Sequence, residues 1–423
     1  MANSFNKQET VAFEEVFEKF EDALVISETF GSFKVADELA ERSGNTIWRP
    51  MPYIAQVFQG IDQTANFNRN YTQLAVPTSL AYQPSVPLTL SATELRDLLQ
   101  ENRLGDAALQ GIGSDINQKC MNIASLTGTI FIKRSTAATG FDDIAAADAA
   151  LNRVGVPMGD RKCLLASQDY NSMASNLASR VVDNSTSLTA YEQAKVGRIA
   201  GFDTFKLDYA YRLTAAAGVG VTITAANQFY TPAATTLDAN GGRHNVDNRV
   251  QVVGITVTSG TVKVGDAFTI AGVNELHHIT KLDTGQLKTF RIVSIVTGAG
   301  GTGTIGIYPP LISAQGGTDP ELQYKNVTAT PAAGAAVTFL NTASGYVAPF
   351  WQGDAFEIMP GRYRPALDAG MTYMSATTKR GITITMTRQG SIGDLSTRYR
   401  WDAFYGLVNK QPEMSGAIMF SQP

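Results

Sequence analysis

Histidine is nearly missing from this chain of 423 residues: only His244, His277 and His278 occur, all within one segment. That removes the commonest general base from most of the molecule. His277 and His278 are adjacent, and on a strand they point to opposite faces, so they cannot share a metal. Cysteine is equally sparse. Cys120 and Cys163 lie in different segments without C-x-x-C spacing, which excludes a disulfide framework or a zinc ribbon. They read as two buried, reduced thiols of a cytoplasmic protein. Charged residues make up 17% of the chain, with a net charge of −4 and no basic stripe to grip a phosphate backbone. No stretch approaches the ~18 apolar residues of a membrane span, and the first residues lack the pattern of a secretory leader.

The motifs of chemistry fail on inspection. Gly298-Ala-Gly-Gly-Thr-Gly303 fits G-x-G-x-x-G, but a dinucleotide loop must open a helix. Here Thr304 to Tyr308 reads as a strand ending at Pro309-Pro310, so the glycines form a hairpin connection. Asp238-Ala-Asn-Gly-Gly-Arg243 begins like a calcium loop, yet lacks an oxygen side chain at its fifth position and glycine at its sixth. Neither G-x-S-x-G nor a phosphate-binding loop occurs. The reading is no enzyme, no cofactor and no metal.

What is present is a change of character between about Gly218 and Ser344. That block holds 17 of the 38 glycines and no tryptophan, while Trp48, Trp351 and Trp401 flank it. Within it, β-branched runs at 250–258, 266–270 and 289–296 alternate with turns, the pattern of a small barrel or sandwich. The flanks mix amphipathic helices with strands. The organisation is therefore an α+β protein carrying an inserted β-domain.

Along the flanks, Phe13, Val16, Phe17, Phe20 and Leu24 make an apolar helical stripe, with Glu9, Glu14, Glu15, Glu18, Glu21 and Asp22 opposite. This acidic face is either the solvated side of a docked helix or a strip offered to a basic partner. Residues 45–90 are extended and punctuated by Pro50, Pro52, Pro77, Pro84 and Pro87. They suit a long hairpin reaching a neighbouring subunit, because Ile54, Val57, Phe58, Phe67 and Tyr71 need burial somewhere. Ser91 and Glu94 form a capping box for one helix, and a second, longer helix runs from about Asp106 to Leu126. A strand at 130–132, a helix from Phe141 to Val154, a strand at 163–166 and a helix capped by Ser167 follow. After the insert come a half-buried strand around Ile382 to Thr387, an aromatic strand at 398–406 and a last strand to Phe420, closing an antiparallel sheet on the long helix.

Short matches in a fixed order carry a resemblance: Asn45-Thr-Ile-Trp48 with Pro50, Gln168-Asp-Tyr170, Ala200-Gly-Phe-Asp203, Asn245-Val-Asp-Asn-Arg249, Gly265-Asp266 with Ala271-Gly-Val273, Phe350-Trp351 with Asp354, and Tyr405-Gly406. Together they resemble the major coat proteins of P-twenty-two-like short-tailed phages. The resemblance implies the Hong-Kong-97-type capsid fold: an N-terminal arm (1–44), an extended loop (45–90), a peripheral domain with spine helix and part of the axial domain (91–217), an inserted β-barrel (218–344), and the remainder (345–423). It implies self-assembly into hexamers and pentamers of an icosahedral shell. The implied partners are a scaffolding protein, a portal protein and encapsidated double-stranded DNA held without sequence preference, with assembly in the host cytoplasm and no membrane contact. Scaffold contact falls to Glu9, Glu14, Glu15 and Glu18. Contact between capsomers falls to a loop of the insert with Asp238, Arg243, Asp247 and Arg249, where Asn240 replaces an acidic residue of the relatives. Asp247 and Arg249 could instead pair within the domain. The rival reading, a virion-attached or secreted carbohydrate-binding adhesin, requires clustered exposed aromatics on the insert, and those present are few and scattered.

Overall fold

The longest regular element is a helix, Leu98–Thr127, of 30 residues, roughly 45 Å from end to end. The sequence predicts two helices here; one continuous helix forms instead. The interior Gly105 costs about 1 kcal/mol and does not suffice to break it. Leu109, Ile112, Ile116 and Cys120 are buried, as their spacing predicts. The computed structural model describes residues 13–14, 17, 19–20, 24–33, 46–51, 54–91, 93, 98–179, 197–207, 209–234, 247–297, 301–363, 371–391 and 393–423. The capping box at Glu94 lies outside them. The chain divides into two units, one of residues 1–47, 78–121 and 356–408, the other of 48–77, 122–355 and 409–423.

The first unit centres on a four-stranded antiparallel sheet in the order Thr372–Thr377, Thr383–Ser391, Ser396–Ala403, Ser85–Ser91. Alternation of threonine with Ile384 and Met386 predicts a half-buried strand, but Thr383, Ile384, Thr385 and Met386 are all buried. Of the two threonines, Thr383 shares a hydrogen bond with the Thr377 hydroxyl (3.0 Å). Residues 13, 14, 17, 19 and 20 are helical. Phe13 stacks on Trp401 at 5.6 Å, and Phe20 is buried.

In the second unit, a mixed sheet runs Ile130–Lys133, Ser415–Met419, Gly345–Gln352, Arg161–Ala166, Phe202–Leu207, Arg198–Ile199. The final strand thus leaves the predicted antiparallel sheet and pairs in parallel with Ile130–Lys133. Helices Phe141–Val154 and Ser167–Ser179 supply Ile144, Ala147, Leu151, Tyr170 and Met173 to its core. The first of them ends at Gly155, whose φ of 93° is left-handed. An added Cβ there would stand 2.7 Å from the His277 ring, so glycine is needed both for the turn and for the space.

The inserted sheet runs Thr222–Ile223, Gln251–Val257, Gly301–Tyr308, Asp283–Thr297, Ala267–Leu276, Val337–Phe339. Its edges meet. The Ile223 amide donates to the Ala335 carbonyl and the Val337 amide to the Val221 carbonyl, both at 2.9 Å, which curls the sheet into a barrel and removes its free edges. Val253, Ile255, Phe268, Ile270, Phe290, Ile292, Ile305 and Ile307 fill it. The strands on either side of Gly298–Gly300 pair antiparallel, as a hairpin must. His277 and His278 sit in a turn beyond the end of a strand, not on one. The predicted opposition of their faces is therefore replaced by separate roles.

Candidate interaction surfaces

Several of the polar groups that tie the inserted barrel to its host lie on one strand, Asp283–Thr297. Arg291 is fully buried. Its guanidinium donates to the Ser125 and Leu126 carbonyls (the latter at 3.4 Å), in the last turn of the long helix, and lies 5.1 Å from the Phe131 ring. That helix has no basic side chain in its last turn, so Arg291 supplies charge to a terminus whose carbonyls are otherwise orphaned. Two residues earlier, on the same face, the Thr289 hydroxyl donates to the Thr129 carbonyl at 2.6 Å. On the opposite face the Lys288 ammonium meets the Glu413 carboxylate at 2.5 Å, and the Asn326 amide donates to the same oxygen at 3.3 Å.

Around Glu413 the electrostatics are those of a buried cluster. Burial pushes the Glu413 carboxyl up, but Lys288, His278 and Lys281 more than offset this and bring it down to about 2. Burial lowers His278 to about 4 and Lys281 to about 8. His277 keeps its Nδ1 as acceptor for the amides of Ile279 (3.3 Å) and Thr280 (3.2 Å), which closes the turn. Cys120 and Cys163 are both buried and unpaired, and burial raises the Cys163 thiol to about 12, making it inert.

Of the residues singled out from sequence, Asp247 and Arg249 come together. Arg249 Nε and Nη2 meet the two Asp247 carboxylate oxygens at 2.9 and 2.7 Å, and Nη1 donates to the Asn409 carbonyl at 2.6 Å. The arginine is mostly buried, so this pair anchors the base of the loop. Asp238 and Arg243 lie outside the described residues, as do Glu9, Glu15 and Glu18. Glu14 is exposed beside the buried Phe13. Lys19 pairs with Asp106 at 2.8 Å.

In the extended loop, Ile54 and Leu74 are buried against Ile312 and Tyr324 of the insert. Val57, Ile61 and Phe67 remain exposed. The loop's apolar residues are thus split between a docked stem and a bare tip. A cavity of about 490 Å³ lies beside the stem, lined in part by Met51, Ile54, Val57, Leu74, Ile312 and Met414.

Among the described residues, no group of three His, Cys, Asp or Glu side chains stands together to hold a metal. No described helix is long and apolar enough to cross a membrane. Phe268, Phe290, Tyr308 and Tyr324 of the insert are buried, and Phe229, Tyr230 and Phe339 are half-buried, so these aromatics offer no sugar-binding platform. Sequence reading missed Arg291, Glu413 and the stem contacts, because their partners lie far away along the chain.

Compared with known proteins, residues 1–421 match the family described as "P22 coat protein - gene protein 5". A solved structure, the CUS-3 coat protein I-domain, is 40% identical over 29% of this chain and 95% of its own, with a TM-score of 0.21. The capsid of Cyanophage P-SCSP1u is 9% identical, covering 93% of this chain and 87% of its own at a TM-score of 0.45. A structure from Mycobacterium phage Che8 is 10% identical over 92% and 88%, with a TM-score of 0.42.

Proposed function

The chain belongs to the P22 coat protein family and is the shell-forming major coat protein of a bacteriophage; on that premise we propose that it assembles in the host cytoplasm around a separate, basic scaffolding protein. Its fold is the Hong-Kong-97-type capsid fold with an inserted barrel-like sheet. The observation that carries the scaffold reading is the two-faced N-terminal helix. Phe13 and Phe20 are buried while Glu14 is exposed, and Glu9, Glu15 and Glu18 belong to the same acid-rich stretch of sequence. A partner that must leave before the shell matures is best held by weak, salt-sensitive pairs, each contributing at most about 1 kcal/mol.

The shell in this reading is built of hexamers and pentamers, takes up double-stranded DNA through a portal protein, and holds it without sequence-specific contacts, consistent with the absence of a basic stripe. The insert's loop reaches the next capsomer with Asp238 and Arg243, and the Asp247–Arg249 pair stiffens its base. Replacing Glu14, Glu15 and Glu18 together by Lys tests the scaffold contact. The variant is expected to fold, yet to form aberrant or scaffold-free particles by negative-stain microscopy, and high salt should do the same to the unmodified chain. Normal scaffold-filled particles from the variant would place the contact elsewhere.

A further inference from the structure

The extended loop leaves its host at Met51 and returns at Leu74, and both legs meet one short helix of the insert, Asp319–Tyr324. Gln323 is 1% exposed. Its side-chain amide nitrogen donates to the Ile54 carbonyl on the outgoing leg (3.0 Å), and its oxygen accepts from the Thr72 amide on the returning leg (3.0 Å). Tyr324 adds a bond from its hydroxyl to the Thr72 carbonyl at 2.8 Å. Asp319 accepts from the Asn70 amide at 3.0 Å and lies 3.7 Å from the Arg69 guanidinium. Three side chains of one helix therefore hold a loop at least 249 residues distant in sequence.

Packing is confined to the stem, where Ile54 and Leu74 lie against Ile312 and Tyr324 beside the 490 Å³ cavity. From Ala55 to Gln73 no residue belongs to a strand. With burial limited to the stem, hydrogen bonds to the insert add to what fixes the loop's position. The tip, by contrast, is organised internally: Gln63 donates to the Gly60 carbonyl (2.7 Å), and Asp62 accepts from the Thr64 amide (3.0 Å). It displays Ile61, fully exposed, and Phe67, 84% exposed.

We propose that the insert's Asp319–Tyr324 helix is a clamp that presets the extended loop, through Gln323 above all, so that its bare apolar tip is aimed at a second copy of this chain. This rests on the shell-forming reading, since a second copy is the occupant that assembly brings to every subunit. An unclamped loop would have to be ordered at each contact, and that conformational entropy would be subtracted from the contact's free energy. Gln323 is thus a positioning residue for assembly and not itself part of the contact between subunits.

The test uses the full-length chain with Gln323→Leu and, more gently, Tyr324→Phe, which keeps the ring and removes only the hydroxyl. Arg69 is the one basic residue between Ile54 and Leu74, so trypsin cleavage after it reports opening of the clamp. Cleavage of the folded subunit should accelerate about fivefold for each hydrogen bond lost, with the thermal unfolding transition retained. The rate of shell formation, followed by light scattering and microscopy, should fall by a comparable factor. Cleavage at the unmodified rate in Tyr324→Phe, or accelerated cleavage with unchanged assembly, would overturn the proposal. If the unmodified chain forms no shells at all, the coat-protein reading fails separately, and the clamp stands or falls on the cleavage rates.

Discussion

At the scale of residues, the buried group at Glu413 links the protein's stability to pH. His278 has a folded pKa of about 4 against an ordinary 6.5, so the native state prefers it neutral. Its contribution is intact above pH 6.5 and is lost as the pH falls towards 4. Glu413, held at about 2 against 4.5, adds a second loss as the pH falls below 4.5. Asp169 acts in the opposite sense, because burial and then the charge of Asp143 raise it to about 6, and a raised carboxyl favours the folded state on protonation. Replacing His278 by Gln should separate these effects. Between pH 6.5 and 4.5 the unmodified chain should lose about 2 kcal/mol more than the variant does, seen as a steeper fall of the urea midpoint. Parallel curves would mean that His278 does not titrate in the native cluster.

At the scale of elements, the insert is both self-contained and a cap. Its two ends are adjacent, with the Ala216 amide donating to the Asn341 carbonyl and the Ala215 amide to the Ser344 hydroxyl, each at 2.9 Å. A domain with neighbouring ends and its own apolar core should fold by itself. Residues 218–344 expressed alone should show β-type circular dichroism and one cooperative transition; a disordered fragment would refute these boundaries. Arg291 belongs to the other role. Its partners, the Ser125 and Leu126 carbonyls, are absent from the excised domain. Arg291→Met should therefore cost about 2 kcal/mol in the full chain, where charged hydrogen bonds at a helix end are lost, and little in the excised insert. Equal costs in both would show that the arginine serves the barrel and not the helix.

At the scale of the whole molecule, assembly is expected to proceed without covalent cross-links through the extended loop. No lysine occurs between Lys34 and Lys119, so the loop offers no amine for an isopeptide bond to a neighbouring chain. Mature particles boiled in detergent and reductant are expected to run as a single band of subunit mass. A ladder of multimers would show covalent cross-linking by some other route. In the contact proposed above, burial of the apolar tip would contribute about 25 cal/mol for each Å² removed from water.

What the sequence determined by itself was whatever depends on local pattern. An Ala-rich stretch located Phe141–Val154 to the residue, and the β-branched run at 250–258 holds the strand Gln251–Val257. A change of composition marked out an inserted β-domain, and an inserted barrel-like sheet is present. These are statements about burial periodicity and residue inventory, which a chain carries before it folds. Only the tertiary structure decided pairing. It merged two expected helices into Leu98–Thr127, because burial of Leu109, Ile112, Ile116 and Cys120 outweighs the glycine at their junction, Gly105. It moved the last strand beside Ile130–Lys133. It joined Asp247 to Arg249, left Ile61 and Phe67 bare, and set Gln323 across two legs of a loop some 250 residues away. No window of sequence can contain such choices, because each hydrogen bond is specified only when two distant segments have already been brought within about 3 Å of one another.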